Sequence, residues 1–336
     1  MRNFSMKLFG TALLAGCMLL AGCERPPIES VQRGYRGTGM LQVYNPRTLE
    51  EVRAANEVPA SIPLAPGDSP KATTVYKNVQ VLTDLNVAEF TRLMVSMTNW
   101  VSPKEGCAYC HAGGDFAADT VYAKTVARRM LQMTRHINTD WKKHVAETGV
   151  TCYTCHRGQP VPAQVWTQDP GPKTAAQAGN RAEQNAAAMK VGLTSLPYDP
   201  FSYYLKGEYP IPVAGEQALP ADNRHSIKET EGTYGLMMHL SQSLGVNCTY
   251  CHNSRAFYDW DQSTPQRQTA WYGIRMVRDL NNDYLEPLGP TYPKERLGPL
   301  GDAPKANCGT CHQGVYKPLF GVSMLKDHPE LAGAKR

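Results

Sequence analysis

Four copies of one five-residue pattern carry the chemistry of this chain. They are Cys107-Ala108-Tyr109-Cys110-His111, Cys152-Tyr153-Thr154-Cys155-His156, Cys248-Thr249-Tyr250-Cys251-His252 and Cys308-Gly309-Thr310-Cys311-His312. Two cysteines two residues apart, followed at once by histidine, form the attachment pattern of a c-type haem. The thiols add across the vinyl groups of one porphyrin, and the histidine is held under the iron as proximal ligand. The spacing lets both sulfurs reach one macrocycle edge while the next side chain turns to the metal. Cysteine usage argues against zinc. Eight of the ten cysteines lie in the four patterns, and Cys17 and Cys23 lie near the N-terminus, so none is left for a disulfide framework. Zinc half-sites would leave the histidine after each motif unexplained. Four covalently bound haem c groups are therefore expected.

An iron that only carries electrons is six-coordinate, so each haem needs a second axial ligand. A methionine thioether raises the potential and a second imidazole lowers it. Methionines stand on the segments before the motifs: Met94 and Met97 for the first, Met130 and Met133 for the second, Met237 and Met238 for the third. A methionine at helical spacing is also an ordinary core residue. For the fourth haem, repeat logic points to Met276, with His144, His136 and His239 also available.

The elements that must position these groups are mainly helical. Phe90, Leu93, Met94, Met97 and Val101 predict a helix over 86–99. A second helix is expected from Tyr122 to Ala146, with Gly149 as its stop three residues before Cys152. A third runs from Tyr234 to Leu244 and ends at Gly245, again three residues before a cysteine. A fourth is expected from Pro265 to Tyr284, with proline in its first turn. The fold class that follows is mainly α with much irregular structure, a multihaem cytochrome c of two pseudo-symmetric halves. Each half holds two helix-then-haem units. The expected segments are a lipoprotein-type signal peptide at 1–22, an extended N-terminal arm at 23–83 and a first dihaem half at 84–158. A connector at 159–230 precedes a second half with the C-terminal tail at 231–336. Within the connector, Thr174 to Lys190 could form a solvent-exposed helix. His225 and His328 sit in polar contexts and read as surface residues.

Arg2, Lys7 and the apolar run Leu8 to Leu20 form an export signal. It ends in Leu20-Ala21-Gly22-Cys23, which resembles a bacterial lipobox, so Cys23 is the expected lipid anchor. No later apolar run approaches the ~20 residues a membrane-crossing helix requires. A tethered location on the periplasmic face of the inner membrane follows. The formal charge is +5, and haem propionates would offset it, so basic partner proteins are expected and nucleic acid is not.

The arrangement resembles the tetrahaem cytochrome c subunit of purple bacterial photosynthetic reaction centres. The resemblance rests on Gly34-Tyr35-Arg36-Gly37, Trp100-Val101-Ser102-Pro103, Val126-Ala127-Arg128-Arg129-Met130-Leu131, and Gly149 through Gly158. It continues through Ser263-Thr264-Pro265-Gln266-Arg267, Gly273 through Asn281, and Lys317-Pro318-Leu319-Phe320-Gly321. It implies three Met/His haems and one bis-His haem: Met94 with His111, Met130 with His156, Met237 with His252, and His144 with His312. Met276 would then be core. The resemblance also implies docking on the L and M subunits, with the H subunit reached indirectly. It implies re-reduction of the photo-oxidised bacteriochlorophyll pair, with electrons from a soluble cytochrome c or a high-potential iron–sulfur protein. Arg128, Arg129, Arg157, Arg267, Arg275 and Arg278 are candidate propionate partners or solvated helix-face residues. No enzyme activity is expected. The alternatives are a periplasmic carrier feeding a terminal reductase, which five histidines outside the motifs supply poorly, and an enzyme with an open iron site. An assembly factor with structural haems is a third.

Overall fold

The computed structural model describes residues 28–32, 41–64, 66–169, 188–213 and 227–333. Strands β1 (Glu29–Gln32) and β2 (Leu41–Tyr44) pair antiparallel, with Glu29 opposite Tyr44. Helix α1 (Pro46–Ala55) starts at Asn45, whose side chain accepts from the Arg47 amide, and α2 (Ala72–Val75) is a single turn. Helix α3 (Val87–Val101) opens on a capping box. The Glu89 amide donates to Asn86 Oδ1 at 2.8 Å, and the Asn86 amide donates to Glu89 Oε2 at 3.0 Å. Then come α4 (Tyr122–Asp140), α5 (Lys142–Val145), α6 (Cys152–His156), α7 (Ile227–Leu244), α8 (Pro265–Asp279) and α9 (Cys308–His312). The remainder is 3-10 turns and irregular chain, so the described residues are mainly helical with much irregular structure. Among them no helix is long and apolar enough to cross a membrane.

Three expected helices differ from those observed. The helix expected over 122–146 breaks at Trp141, which leaves α5 as a separate turn. The third begins earlier, at Ile227. The fourth changes after Asp279 into a π-helical segment, Leu280–Leu285. The arm is not merely extended. It holds β1, β2, α1 and α2, and it lies on the body that carries the four motifs. Tyr153 Oη donates to the Glu57 carbonyl at 2.9 Å and Arg92 Nε to the Pro63 carbonyl at 2.7 Å. Buried Leu49, Ala72 and Leu82 explain why a proline- and glycine-rich stretch packs all the same.

One core cluster joins α3 and α4 to the C-terminal tail through Leu82, Leu93, Trp100, Leu131, Leu319 and Leu331. The other joins α4, α7 and α8 through Ile137, Leu236, Ile274 and Val277, and takes Phe201, Tyr204 and Leu205 from the proline-rich connector. The tail corrects the reading of His328, which is 1% exposed. It turns inward because Glu330 pairs with Arg92 at 2.8 Å in the interior, while Arg135 donates to the Glu330 carbonyl and forks onto Asp84 at 2.8 and 2.9 Å. The leader with Cys17 and Cys23, the stretch Gly34-Tyr35-Arg36-Gly37, residues 170–187 of the expected exposed helix, and His225 lie outside the described residues.

Candidate haem sites

The four motifs adopt two geometries. The second and fourth are the helical turns α6 and α9. Each is entered through a capping box: the Thr151 amide donates to Thr154 Oγ1 and the Asn307 amide to Thr310 Oγ1, both at 2.9 Å. Each is left through a left-handed residue, Arg157 (φ 50°) or Gln313 (φ 48°). Their first cysteines, Cys152 and Cys308, are buried. The first and third motifs are 3-10 turns, Gly106–Tyr109 and Cys248–Tyr250, whose first cysteines are exposed. The residue before the second cysteine marks the difference. It is threonine in the helical pair, where its hydroxyl closes the cap, and tyrosine in the 3-10 pair.

The histidines share one arrangement. Nδ1 of His111, His156, His252 and His312 pairs with the carbonyl of Phe116, Gln159, Phe257 and Val315 at 3.0, 2.9, 2.7 and 2.9 Å. His144 does the same with the Thr269 carbonyl at 2.9 Å. A neutral imidazole so bound donates from Nδ1 and turns the Nε2 lone pair outward, which is the state a metal ligand needs. Burial pushes all five rings below their ordinary value, His312 to about 4, with His144 adding to the effect there.

The other described histidines are engaged elsewhere. His136 has both nitrogens on carboxylates, Asp140 and Asp279, each at 2.6 Å. Burial alone would lower its pKa, but these bonds outweigh it and raise it. His239 bonds Ser243 Oγ at 3.2 Å and the Lys190 backbone, and burial holds it near 4. Neither is available as a ligand.

His144 and His312 face each other with ring centroids 6.1 Å apart. That is too far for stacking and wide enough for one metal atom with imidazole bonds of about 2 Å on either side. A glycine makes the approach possible. A Cβ on Gly273 would lie 2.5 Å from His144 Cε1 and 2.8 Å from Nδ1. In the sequence Gly273 stood out only as the start of the run Gly273 through Asn281, and Thr269 did not stand out at all.

The methionines separate by their surroundings. Met94, Met97, Met130 and Met133 line one cavity. Met133 also packs into the core cluster. Met238 Cε lies against Gly192, where a Cβ would be 3.2 Å away, so it faces the connector, whereas Met237 packs toward the core. Met276 is buried in the core cluster and also lines the cavity. A sequence difference runs alongside these positions. Met94, Met130 and Met237 are each followed four residues later by a hydroxyl, Thr98, Thr134 or Ser241, and Met97, Met133 and Met238 are not. Thr98 and Thr134 donate back to the carbonyls of Met94 and Met130 at 2.9 and 2.8 Å, while Ser241 donates to the Val246 carbonyl.

The cavity measures about 1430 Å³ and is lined by cysteines and histidine of the first, second and fourth motifs, with His144. This exceeds the roughly 300–1,000 Å³ of one small-molecule pocket. Of the third motif only Tyr250 reaches it; Cys248, Cys251, His252 and Met237 stand outside. The motifs touch in the order first, second, fourth, third. The Gly158 amide donates to the Trp100 carbonyl at 2.8 Å, Gln313 Nε2 to the Cys155 carbonyl at 3.3 Å, and the Gly314 amide to the Ser243 carbonyl at 2.8 Å. Tyr250 and Tyr316 meet at 6.2 Å on the last junction.

The second and fourth motifs come together at Cys155 and Cys311, whose Cα atoms lie 4.5 Å apart. Burial pushes the Cys152 and Cys308 thiols up to about 12, which disfavours the thiolates a zinc site would use. Among the described residues no three His, Cys, Asp or Glu side chains cluster to hold a metal ion.

Of the six arginines singled out, only Arg128 lines the cavity, and it pairs with Asp119 at 2.9 Å. Arg129 lies over Tyr284 and Arg275 over Trp271. Arg157 bonds Asn56 and backbone carbonyls, Arg267 bonds the Asp259 carbonyl, and Arg278 bonds the Tyr204 carbonyl. Arg296, not foreseen, lines the cavity beside Tyr122. Haem c thus fits the residues on three counts: uniformly oriented imidazoles, the glycine that admits His144, and a large shared cavity.

Comparison with known proteins agrees with this chemistry. Residues 24–332 match the family described as photosynthetic reaction centre cytochrome c subunit. The photosynthetic reaction center cytochrome c subunit of Rubrivivax gelatinosus is 56% identical over 96% of this chain and 89% of its own length. The protein of that name from Thermochromatium tepidum is 52% identical over 95% of this chain and 79% of its own. That from Roseobacter denitrificans is 44% identical over 97% and 94%.

Proposed function

This chain belongs to the photosynthetic reaction centre cytochrome c subunit family, and from that premise we propose that it re-reduces the photo-oxidised bacteriochlorophyll pair. As a member it is an electron-transfer protein that carries covalent haem c and serves the reaction centre. Bound haem c supplies reversible one-electron exchange at iron.

The finer reading assigns four haems, one to each motif. Their thioethers are at Cys107 and Cys110, Cys152 and Cys155, Cys248 and Cys251, and Cys308 and Cys311. Axial pairs are Met94 with His111, Met130 with His156, Met237 with His252, and His144 with His312. The observation that carries it is the shared Nδ1-to-carbonyl bond of His111, His144, His156, His252 and His312. In this reading the backbone carbonyls hold each imidazole in one tautomer. The apolar walls of α3, α4 and α8 exclude water. The alternation of 3-10 and helical motifs supports two related halves.

Electrons enter from a soluble cytochrome c or high-potential iron–sulfur protein and leave toward the L and M subunits. The export signal and the lipobox-like Cys23 support a lipid-anchored place on the periplasmic face. Flash spectroscopy on native membranes tests the role. Oxidation of a haem α-band in step with decay of the pigment cation is expected. A pigment that photo-oxidises at high ambient potential while no haem responds would sink it.

A further inference from the structure

The turn that carries His144 has little stability of its own. Helix α5 is four residues long, and an isolated turn fixes more dihedrals than its hydrogen bonds repay. Its pose is therefore set by what it is tied to. Helix α4 ends at Asp140, and Trp141 leaves the helix at φ −105°, ψ 26°. Helix α8 grips the segment at separate points. The Thr269 carbonyl takes His144 Nδ1, and Gly273 lies against the ring face. Ten residues beyond Thr269, roughly 15 Å along the helix, Asp279 Oδ2 accepts from Trp141 Nε1 at 2.6 Å and meets His136 Nε2 at 2.6 Å. These two partners stand on either side of the break. His136 is further fixed by Asp140 and by stacking on Tyr284 at 5.3 Å.

We propose that Asp279, acting through Trp141 and His136, is the positioning residue that sets the break between α4 and α5 and so holds His144 opposite His312. None of Asp279, Trp141 and His136 lines the cavity, so their effect on a haem passes through His144. The inference rests on reading His144 and His312 as an axial pair, and the test separates the two.

The test uses the reaction-centre complex carrying full-length chain with Asp279→Leu, Asp279→Asn, Trp141→Phe or His144→Ala. Ferric electron paramagnetic resonance reads the fraction of high-spin haem, redox titration reads the potential of each haem, and thermal unfolding is recorded in parallel. His144→Ala converts one haem in four to high spin. Asp279→Leu produces at least about a tenth of that signal and moves the potential of the same haem. Trp141→Phe, which removes the N–H together with the five-membered ring but keeps an aromatic side chain, does so at smaller amplitude. Asp279→Asn, which still offers an acceptor oxygen to Trp141, restores most of the low-spin signal. An unchanged low-spin spectrum and unchanged potentials in Trp141→Phe, or in a folded Asp279→Leu protein of lowered melting temperature, overturn the inference and leave the axial assignment standing. An unchanged spectrum in His144→Ala overturns the assignment itself.

Discussion

The same pentapeptide is built twice in two ways. In the middle of the row, the second and fourth motifs are capped helical turns with buried leading cysteines, in direct contact through Gln313 and Cys155. At its ends, the first and third are 3-10 turns whose leading cysteines face solvent. Burial demands the first form. A buried turn must satisfy its own amides, and Thr154 and Thr310 do so. The exposed turns have no threonine hydroxyl before the second cysteine to close a cap, and tyrosine takes that position. One covalent chemistry thus runs on two scaffolds, chosen by local burial.

The largest test strikes the seam between the two kinds. Gly245 precedes an end motif and has φ +61°, and a Cβ there would run into the carbonyl oxygen of Gly314, just after an inner motif. Gly245→Ala combines a left-handed alanine with a backbone clash and should cost about 3 kcal/mol or more, measured by denaturant unfolding.

Proton linkage comes next and differs between the regions. Buried His328, beside the first-motif helix, is held near 4 by burial and Arg92, against an ordinary 6.5. The unfolded chain therefore binds the proton first. Stability should fall on the order of 2 kcal/mol as pH drops from 6.5 to 4, and His328→Gln should flatten that acid limb. His136, in the central seam, behaves oppositely. Its raised value means its contribution with Asp279 and Asp140 is full below 6.5 and is lost as pH rises through the folded value. His136→Gln should remove that alkaline limb in a melting-temperature series.

The caps give a smaller contrast. Thr154→Val and Thr310→Val should each cost about 1 kcal/mol, while Ala108→Ser in the exposed first motif should stay within about 0.5 kcal/mol. Equal costs in the two places would erase the distinction. Smallest of all is Phe116→Leu. His111 bonds the backbone carbonyl there, so the visible spectrum of the first haem should not move, and stability should change by about 0.5 kcal/mol.

The four motifs were legible in the sequence because C-x-x-C-H is a short, local pattern, but their split into helical and 3-10 turns was not. The helices were legible from apolar spacing, and their breaks were not. Nothing in residues 137–145 announces that helix α4 stops at Trp141, because Asp279, which ties that turn down, lies far along the chain. The buried tail was missed for a similar reason. His328 has polar neighbours in sequence, and only the fold brings Arg92, Ser61 and Trp100 around it. The surroundings of the candidate sixth ligands were half legible. The Thr98 and Thr134 hydroxyls set Met94 and Met130 apart from their neighbours in sequence, but the space that His144 occupies depends on Gly273 from another helix.

The segment around residues 327–331 works as a clasp. Arg92 and Arg135 draw acceptors from it, Glu330 and the carbonyl of Asp327, and draw others from Ile62, Pro63 and Asp84. Each guanidinium thus ties three stretches of chain that are far apart in sequence, and a change at Glu330 reaches helix α3 and helix α4 together. Losing one of these acceptors leaves a buried N–H unmatched, at a cost of about 1–3 kcal/mol.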